Sequence, residues 1–435
     1  MFTRRRFFWS SAAALVASRT IRLDAAEAQT TGQLPPSLAA LTSMKDRAKP
    51  ITNDERRARI EKARRLMAEH KIDAIMLTQG TSLVYFTNIH WGGGERLTAC
   101  LVPAKGEPLF VCPAFEEDRA REQIGLGPFG GGKADVRVWN EDESPYALVA
   151  AGLKDRGIAT GILGIEETTK YVWSEGVSQA APQLKLASAT PVVAGCRMIK
   201  DAHEIELMRL ASQVTLKAYE AAWRAIKPGM TQNTVSDLIE KAHARLGFSG
   251  DASVQVGTYT ALPHGSIQPQ TIREGTIIMV DGGCSVEGYA SDITRTFVIG
   301  KPTDKMNTVF GIVKQAQTAT LKAAKPGIPL DALDAAARKV ITDAGYGPGF
   351  KFFSHRVGHG LGMDGHEWPY LVKNNMFGWE TSLTLQPHMT FSDEPGIYIR
   401  GEFGVRLEDD LHLTENGAEL FTPQSESLER PFGGS

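Results

Sequence analysis

Two apolar runs rich in β-branched residues, 276–280 and 293–299, enclose a glycine-rich stretch, and each carries a carboxylate where it meets that stretch. The runs predict strands, and a short connection through Gly282, Gly283 and Gly288 predicts an antiparallel hairpin with Asp281 and Asp292 side by side at the strand ends. Two like charges held that close repel unless a cation lies between them. Taken alone, an Asp beside Gly reads first as a turn residue.

The pattern returns downstream. MTFSDEPGIYI ends an apolar run on Glu394, and GVRLEDDLHL begins its return with Glu408. Ahead of each acidic pair lies a helical pattern broken by Lys-Pro-Gly and followed by a second one, in IKPGMTQNTVSDLIEKAHARLG and AKPGIPLDALDAAARKVITDAG. A His-containing strand region, LPHG at 262–265 and SHRVGHG at 354–360, precedes each hairpin. Gly229 and Gly327 are 98 positions apart, Asp281 and Glu394 113, Asp292 and Glu408 116. These offsets predict an internal duplication whose hairpins meet at a pseudo-twofold axis, bringing four carboxylates together. Such a set needs about two divalent cations, and oxygen-rich ligation with an imidazole suits Mn, Fe, Co or Zn. His359 and His366 supply imidazoles; seven positions apart in a glycine-rich segment, they are too far apart for a helical zinc pair, so one is free to bind metal while the other faces substrate.

These residues resemble the metal-dependent prolidase and Xaa-Pro aminopeptidase family M24, whose catalytic fold is called pita-bread. The likeness rests on DGG-x5-GY-x-x-DITRT around Asp281 and Asp292, GHGLG-x-x-x-HE-x-P around His359 and His366, EPG at Glu394 and RLEDD at 406–410. The HEWP run is more similar to prolidases. The resemblance implies five metal ligands, Asp281, Asp292, His359, Glu394 and Glu408, with Asp292 and Glu408 bridging two ions. Manganese is the first candidate for those ions, ahead of Co, Zn or Fe. The resemblance also implies that a shared hydroxide attacks the scissile carbonyl, Glu394 shuttles the proton, and His366 and His264 stabilise the oxyanion. His264, His355, His366 and Arg406 would line the substrate pocket, Arg406 holding a carboxylate; read from its neighbours, Arg406 is equally a strand residue paired to Asp409 or Asp410. The implied activity is hydrolysis of Xaa-Pro bonds in dipeptides, with aminopeptidase action on longer peptides, or cleavage of another amide, as the alternatives. A metal-free relative of creatinase type would lack some of these acids, and a related lyase branch carries an acid where this chain has Gly283.

The chain of 435 residues, 42% hydrophobic and 23% charged, is long enough for two domains with their own cores. A net charge of −2 gives no reason to expect nucleic acid. Residues 1–28 predict a twin-arginine signal: TRRRFF, an apolar run over 7–18, and the small-x-small site Ala26-Glu27-Ala28. Removing its five arginines and two acids leaves −5 and a periplasmic or secreted protein with no stable membrane anchor. A linker is expected over 29–50. Residues 51–198 predict an N-terminal α/β domain of creatinase type, opened by the capping box Thr52 to Glu55, and 199–435 the pita-bread α+β domain, opened by Asp201 to Glu204. Strands are read in DAIMLT, RLTACLVPAKGEPLFVC, DVRVW and GILGIE, and GPFGGGK reads as a loop. Cys100 and Cys112 face each other if the intervening turn closes at Lys105-Gly106; two buried free thiols are preferred to a disulfide. By family analogy the partners are a proline-containing di- or oligopeptide and further copies of the chain, as homodimer or homotetramer.

Overall fold

The capping boxes read from the sequence set where the principal helices begin. In the computed structural model, which describes residues 34–130, 134–376 and 382–433, Thr52 caps the helix Asn53–His70 and Asp201 caps Ala202–Trp223. In each, the cap side chain accepts from the N3 backbone while the N3 Glu accepts from the cap's own N–H. The expected export signal and residues 131–133 of the GPFGGGK loop lie outside the described residues.

The N-terminal domain is a six-stranded sheet in the order Asp135–Trp139, Leu109–Pro113, Ala99–Pro103, Ala74–Thr78, Gly161–Ile165, Leu184–Ser188. Ala99–Pro103 runs antiparallel to both neighbours and the remaining pairs are parallel. The edge strand Leu184–Ser188 is absent from the sequence reading, because its half-exposed LKLAS carries no β-branched or aromatic residue to mark it as a strand. Both faces are covered: Ile60, Ala63 and Met67 pack with Ile75 and Leu77 on one side, and Val149, Leu153 and Trp173 with Met76 and Leu101 on the other. The 99–113 hairpin pairs Cys100 with Phe110, so Cys100 and Cys112 do not oppose each other; both are buried free thiols.

The expected linker is not a free connection. Within 34–50 the short helix Pro36–Ala39 docks on the C-terminal domain, with Leu38 fully buried and Ser37 Oγ donating to Ala221 O at 2.7 Å.

The duplication is visible in backbone pairing. Gly229 N–H donates to Ile272 O, and Ile272 N–H returns to Met230 O; Gly327 N–H donates to Leu385 O, and Leu385 N–H returns to Ile328 O. Both glycines have positive φ, 96° and 83°, which a side chain would strain. In the first half, helices Ala202–Trp223 and Gln232–Leu246 precede the strands Ser249–Val256, Thr276–Val286 and Ile293–Ile299. In the second, Asp304–Ala323 and Asp331–Asp343 precede Thr390–Asp393 and Asp409–Thr414.

Two local expectations need correction. Thr276–Val286 runs straight through Gly282-Gly283 and turns only at Glu287-Gly288, so Asp281 sits inside a central strand opposite Thr294. Gly283 is required by close approach, since a Cβ there would collide with the Ser291 carbonyl oxygen. The two His-containing segments are mainly turns and loops, with only His359–Gly360 in a strand, because their Pro and Gly residues interrupt pairing.

Arg295 ties the halves together. Its guanidinium is fully buried, pairs with Asp409 Oδ1 at 2.5 Å and donates to Glu408 O at 2.8 Å. Removing one partner of a buried pair strands the other charge. Asp409→Ala is therefore expected to lower unfolding stability by about 3–5 kcal/mol in urea titration; a loss under 1 kcal/mol would show that the clamp is dispensable.

Candidate metal centre

Where the halves meet, the paired strands converge on one cleft of about 390 Å³. Asp281 projects from the central strand and Asp292 lies just before Ile293–Ile299. Glu394 follows Thr390–Asp393, and Glu408 precedes Asp409–Thr414; the hairpin formed by Gly396–Ile399 and Phe403–Arg406 separates those two strands. Donor atoms of Asp281, Asp292 and Glu408 lie within 4.8 Å of one another, as do those of His359, Glu394 and Glu408. Glu408 belongs to both groups. A third group joins Asp292, His359 and His366.

Burial drives the Asp292 carboxyl well above its ordinary range, with Asp281 adding to the rise, and does the same to Glu408 with Asp292 beside it. Burial pushes Glu394 up to about 7, with Arg406 pulling the other way and Asp281 reinforcing the rise. Four acids in mutual conflict beside a neutral imidazole form a donor set that fits hard or borderline divalent cations. The imidazole is His359: burial holds it down to about 3, and His366 adds to the shift. Its Nδ1 lies 3.1 Å from Gly360 O, so a proton there leaves the Nε2 lone pair facing Glu394 Oε1 at 3.3 Å and Asp292 Oδ2 at 3.9 Å.

Glycines shape this corner. A Cβ at Gly360 would collide with the Trp368 backbone, and one at Gly362 would come within 2.5 Å of Glu367 Oε1. The GHGLG run thus lets Glu367–Tyr370 pass close to His359, and the His366 ring stacks on the His359 ring with centroids 3.6 Å apart. His264 is exposed and lines the same cleft from the loop after Gly257–Ala261.

The other two pocket residues are more committed than expected. Arg406 is 3% exposed: Nη2 pairs with Asp281 Oδ2 at 2.5 Å, Nε donates to Thr294 Oγ1, and Nη1 donates to Pro263 O and Tyr398 Oη. Its partner is Asp281, and neither Asp409 nor Asp410 pairs with it. His355 has Nδ1 2.8 Å from Arg356 O and Nε2 2.7 Å from Tyr398 Oη. Arg406 braces Asp281 directly and His355 is tied to Arg406 through Tyr398, which leaves both few donors for a substrate.

Three contributors escaped the sequence reading. The Thr294 hydroxyl lies 2.6 Å from Glu408 Oε2 and 2.9 Å from Asp281 Oδ1; Tyr398 links Arg406 to His355; Arg356 lines the cleft beside His366. Each stands within a run already singled out, but which side chain faces the acids depends on strand register.

The model of metallopeptidase family M24 matches residues 206–415, and that of the creatinase/prolidase N-terminal domain matches 59–199. An Xaa-Pro dipeptidase of Lactobacillus delbrueckii subsp. lactis is 32% identical over 377 residues, which cover 85% of this chain and 98% of that relative. The chain belongs to metallopeptidase family M24. Its fold also matches the solved Xaa-Pro dipeptidase from Bacillus anthracis, with TM-score 0.73 and 31% identity over 86% of this chain and 99% of that one. The X-Pro aminopeptidase from Thermotoga maritima gives 0.71 and 29% over 85% and 99%. Membership implies divalent metal ions, in keeping with the donor set.

Without metal, Asp292, Glu394 and Glu408 each hold a proton more tightly than an ordinary carboxyl. Glu394 near 7 lies above its ordinary 4.5, so the folded metal-free protein holds the extra proton between these values and loses stability as pH rises through that window. In chelator, Glu394→Gln is expected to match the parent near pH 5 and to exceed it by roughly 3 kcal/mol at pH 8. Denaturant unfolding at both pH values checks this; an unchanged difference would contradict the electrostatic account.

Proposed function

We propose that this chain is a dinuclear-metal Xaa-Pro dipeptidase. The donor set and the dipeptidase names of its relatives support the reading. An imide bond to proline offers no N–H for a protease to grip, so recognition must come from the ends of the substrate. Arg356 is the observation that carries a dipeptide over a longer peptide. Its guanidinium sits over the Tyr370 ring at 4.6 Å and donates to His366 Nδ1 at 3.3 Å, and among the described residues no carboxylate is paired with it. In a dipeptide the terminal carboxylate lies about 4 Å from the scissile carbonyl carbon. Arg356, next to the ring that stacks on His359, is placed to take that carboxylate, the role the sequence reading gave to Arg406.

Asp281, Asp292, His359, Glu394 and Glu408 would hold the two ions, manganese being our first candidate. When bound, the metals supply Lewis acidity and a water acidified towards neutral pH. The residues of the chain do the rest. Glu394, whose affinity for a proton is already raised by burial, accepts the proton and hands it to the leaving nitrogen. His366 has its pKa lowered by burial and by Arg356; with Nδ1 accepting from Arg356, its proton sits on Nε2, a donor for the charge developing on the carbonyl oxygen. His264, exposed in the cleft, is the second candidate donor. Export to the periplasm is proposed on TRRRFF and the apolar run after it.

Manganese-loaded protein is expected to cleave Gly-Pro, to lose activity in chelator, and to cleave Gly-Pro amide and Gly-Pro-Gly poorly. Arg356→Met should raise KM for Gly-Pro about 10- to 100-fold, the equivalent of one charge-assisted contact, and erase the preference over the amide. Equal cleavage of the tripeptide by the parent would move the assignment to an aminopeptidase, as in the Thermotoga relative.

A further inference from the structure

The segment that carries His366 is gripped from the N-terminal domain. It leaves the strand at Gly360, loops through 362–366 and re-enters pairing at Glu367–Tyr370. Backbone contacts hold mainly its start: Ala290 N–H donates to Gly362 O at 2.7 Å, Gly362 N–H donates to Asp364 O at 3.0 Å, and Asp364 N–H lies 3.4 Å from Glu367 Oε2. The side-chain bonds on either side of His366 have other sources. Arg197, in the last turn of the helix Thr190–Met198, places one nitrogen, Nη2, between Asp364 Oδ2 at 2.5 Å and Glu367 Oε2. Lys200 Nζ holds the other Glu367 oxygen at 2.6 Å, and Thr81 Oγ1 donates to Asp364 Oδ1 at 2.5 Å. Ser82 Oγ, next to Thr81, lies 3.4 Å from Arg197 Nη1.

These contacts bracket the histidine. Asp364 is two residues before His366 and Glu367 is the residue after it. The Glu367 side chain is 7% exposed and Lys200 1%, so the pair is screened little by water. Burial would raise the Glu367 carboxyl, yet Arg197 and then Lys200 outweigh it and hold the group below its ordinary range. Without these grips a loop of this length with glycines at 362 and 365 would sample several positions, and displacement of a reacting group by about 1 Å can cost on the order of 100-fold in rate.

We propose that Arg197 is a positioning residue for the reaction: by bridging Asp364 and Glu367 it fixes His366 against His359, so that docking of the N-terminal domain sets the catalytic geometry. The inference rests on the role given to His366 under the proposed function. Arg197 touches neither the acids of the metal centre nor the cleft that holds them.

The test compares Arg197→Met, Arg197→Lys and Thr81→Val with the parent and with His366→Ala, in full-length manganese-loaded protein, recording metal content, thermal midpoint, kcat and KM for Gly-Pro. Thr81→Val removes one grip without leaving a buried charge unpaired, so it reports even if Arg197→Met folds poorly. Arg197→Met is expected to lower kcat roughly tenfold or more per metal-loaded molecule with KM within about twofold, and Arg197→Lys to recover part of it, since a single nitrogen makes the bridge. Thr81→Val should lower kcat less, in the same direction. Unchanged kcat per loaded molecule in Arg197→Met or, where that variant folds poorly, in both Arg197→Lys and Thr81→Val, or losses explained by metal content or unfolding, would overturn the proposal. Loss of kcat in these variants beside an unaffected His366→Ala would also overturn it, because they would then act through another group. Full activity of His366→Ala with no effect of the other variants would instead refute the reading of His366 itself.

Discussion

Mutual repulsion among buried carboxylates is the constraint around which this structure is arranged. Asp281, Asp292, Glu394 and Glu408 are brought within a few ångströms in a site that strips much of their water, and each added charge raises the cost of the next. Folding alone gives no reason to assemble such a set. The tolerable solutions are protonation, towards which burial pushes Asp292, Glu394 and Glu408, or divalent cations between them. The surrounding cations temper the field without quenching it: Arg406 sits on Asp281, and Arg295 sits behind Glu408 on Asp409.

The duplication explains how one chain delivers four acids to one place. Each half offers a pair of helices broken at Lys-Pro-Gly and a pair of strands bearing acids, and equivalent backbone bonds anchor both glycine turns. Binding side chains from both halves makes the centre depend on their docking, which Arg295 and Asp409 secure. The N-terminal domain adds a separate influence. Its contacts through Thr81 and Arg197 reach the loop of His366, outside the group of acids but adjoining it.

Much of this was legible in the sequence because the signals were redundant. Asp281 and Asp292 alone read as turn residues; it was their repetition as Glu394 and Glu408 at matching offsets that pointed to a site. The capping boxes at Thr52 and Asp201 also read correctly, since a cap is a local contact. What failed depended on tertiary approach. Gly282 and Gly283 read as a turn but permit close packing, a distinction set by the backbones of Asp251 on the neighbouring strand and Ser291 just ahead of the next one. Arg406 read equally as a substrate anchor and as a strand residue paired to Asp409 or Asp410, whereas its donors go to Asp281, Thr294, Pro263 and Tyr398, residues up to 143 positions away. Arg356 and Arg197 were passed over because an arginine's role depends on which carboxylates remain unpaired after folding.

The central claim is that these acids form a single centre for two cations. Calorimetric titration of manganese into chelator-stripped protein, with metal analysis of the saturated product, tests it most directly. The account expects two equivalents bound per chain, with proton release at neutral pH as the raised carboxyls ionise. Binding of no metal, or of one equivalent without proton release, would contradict it.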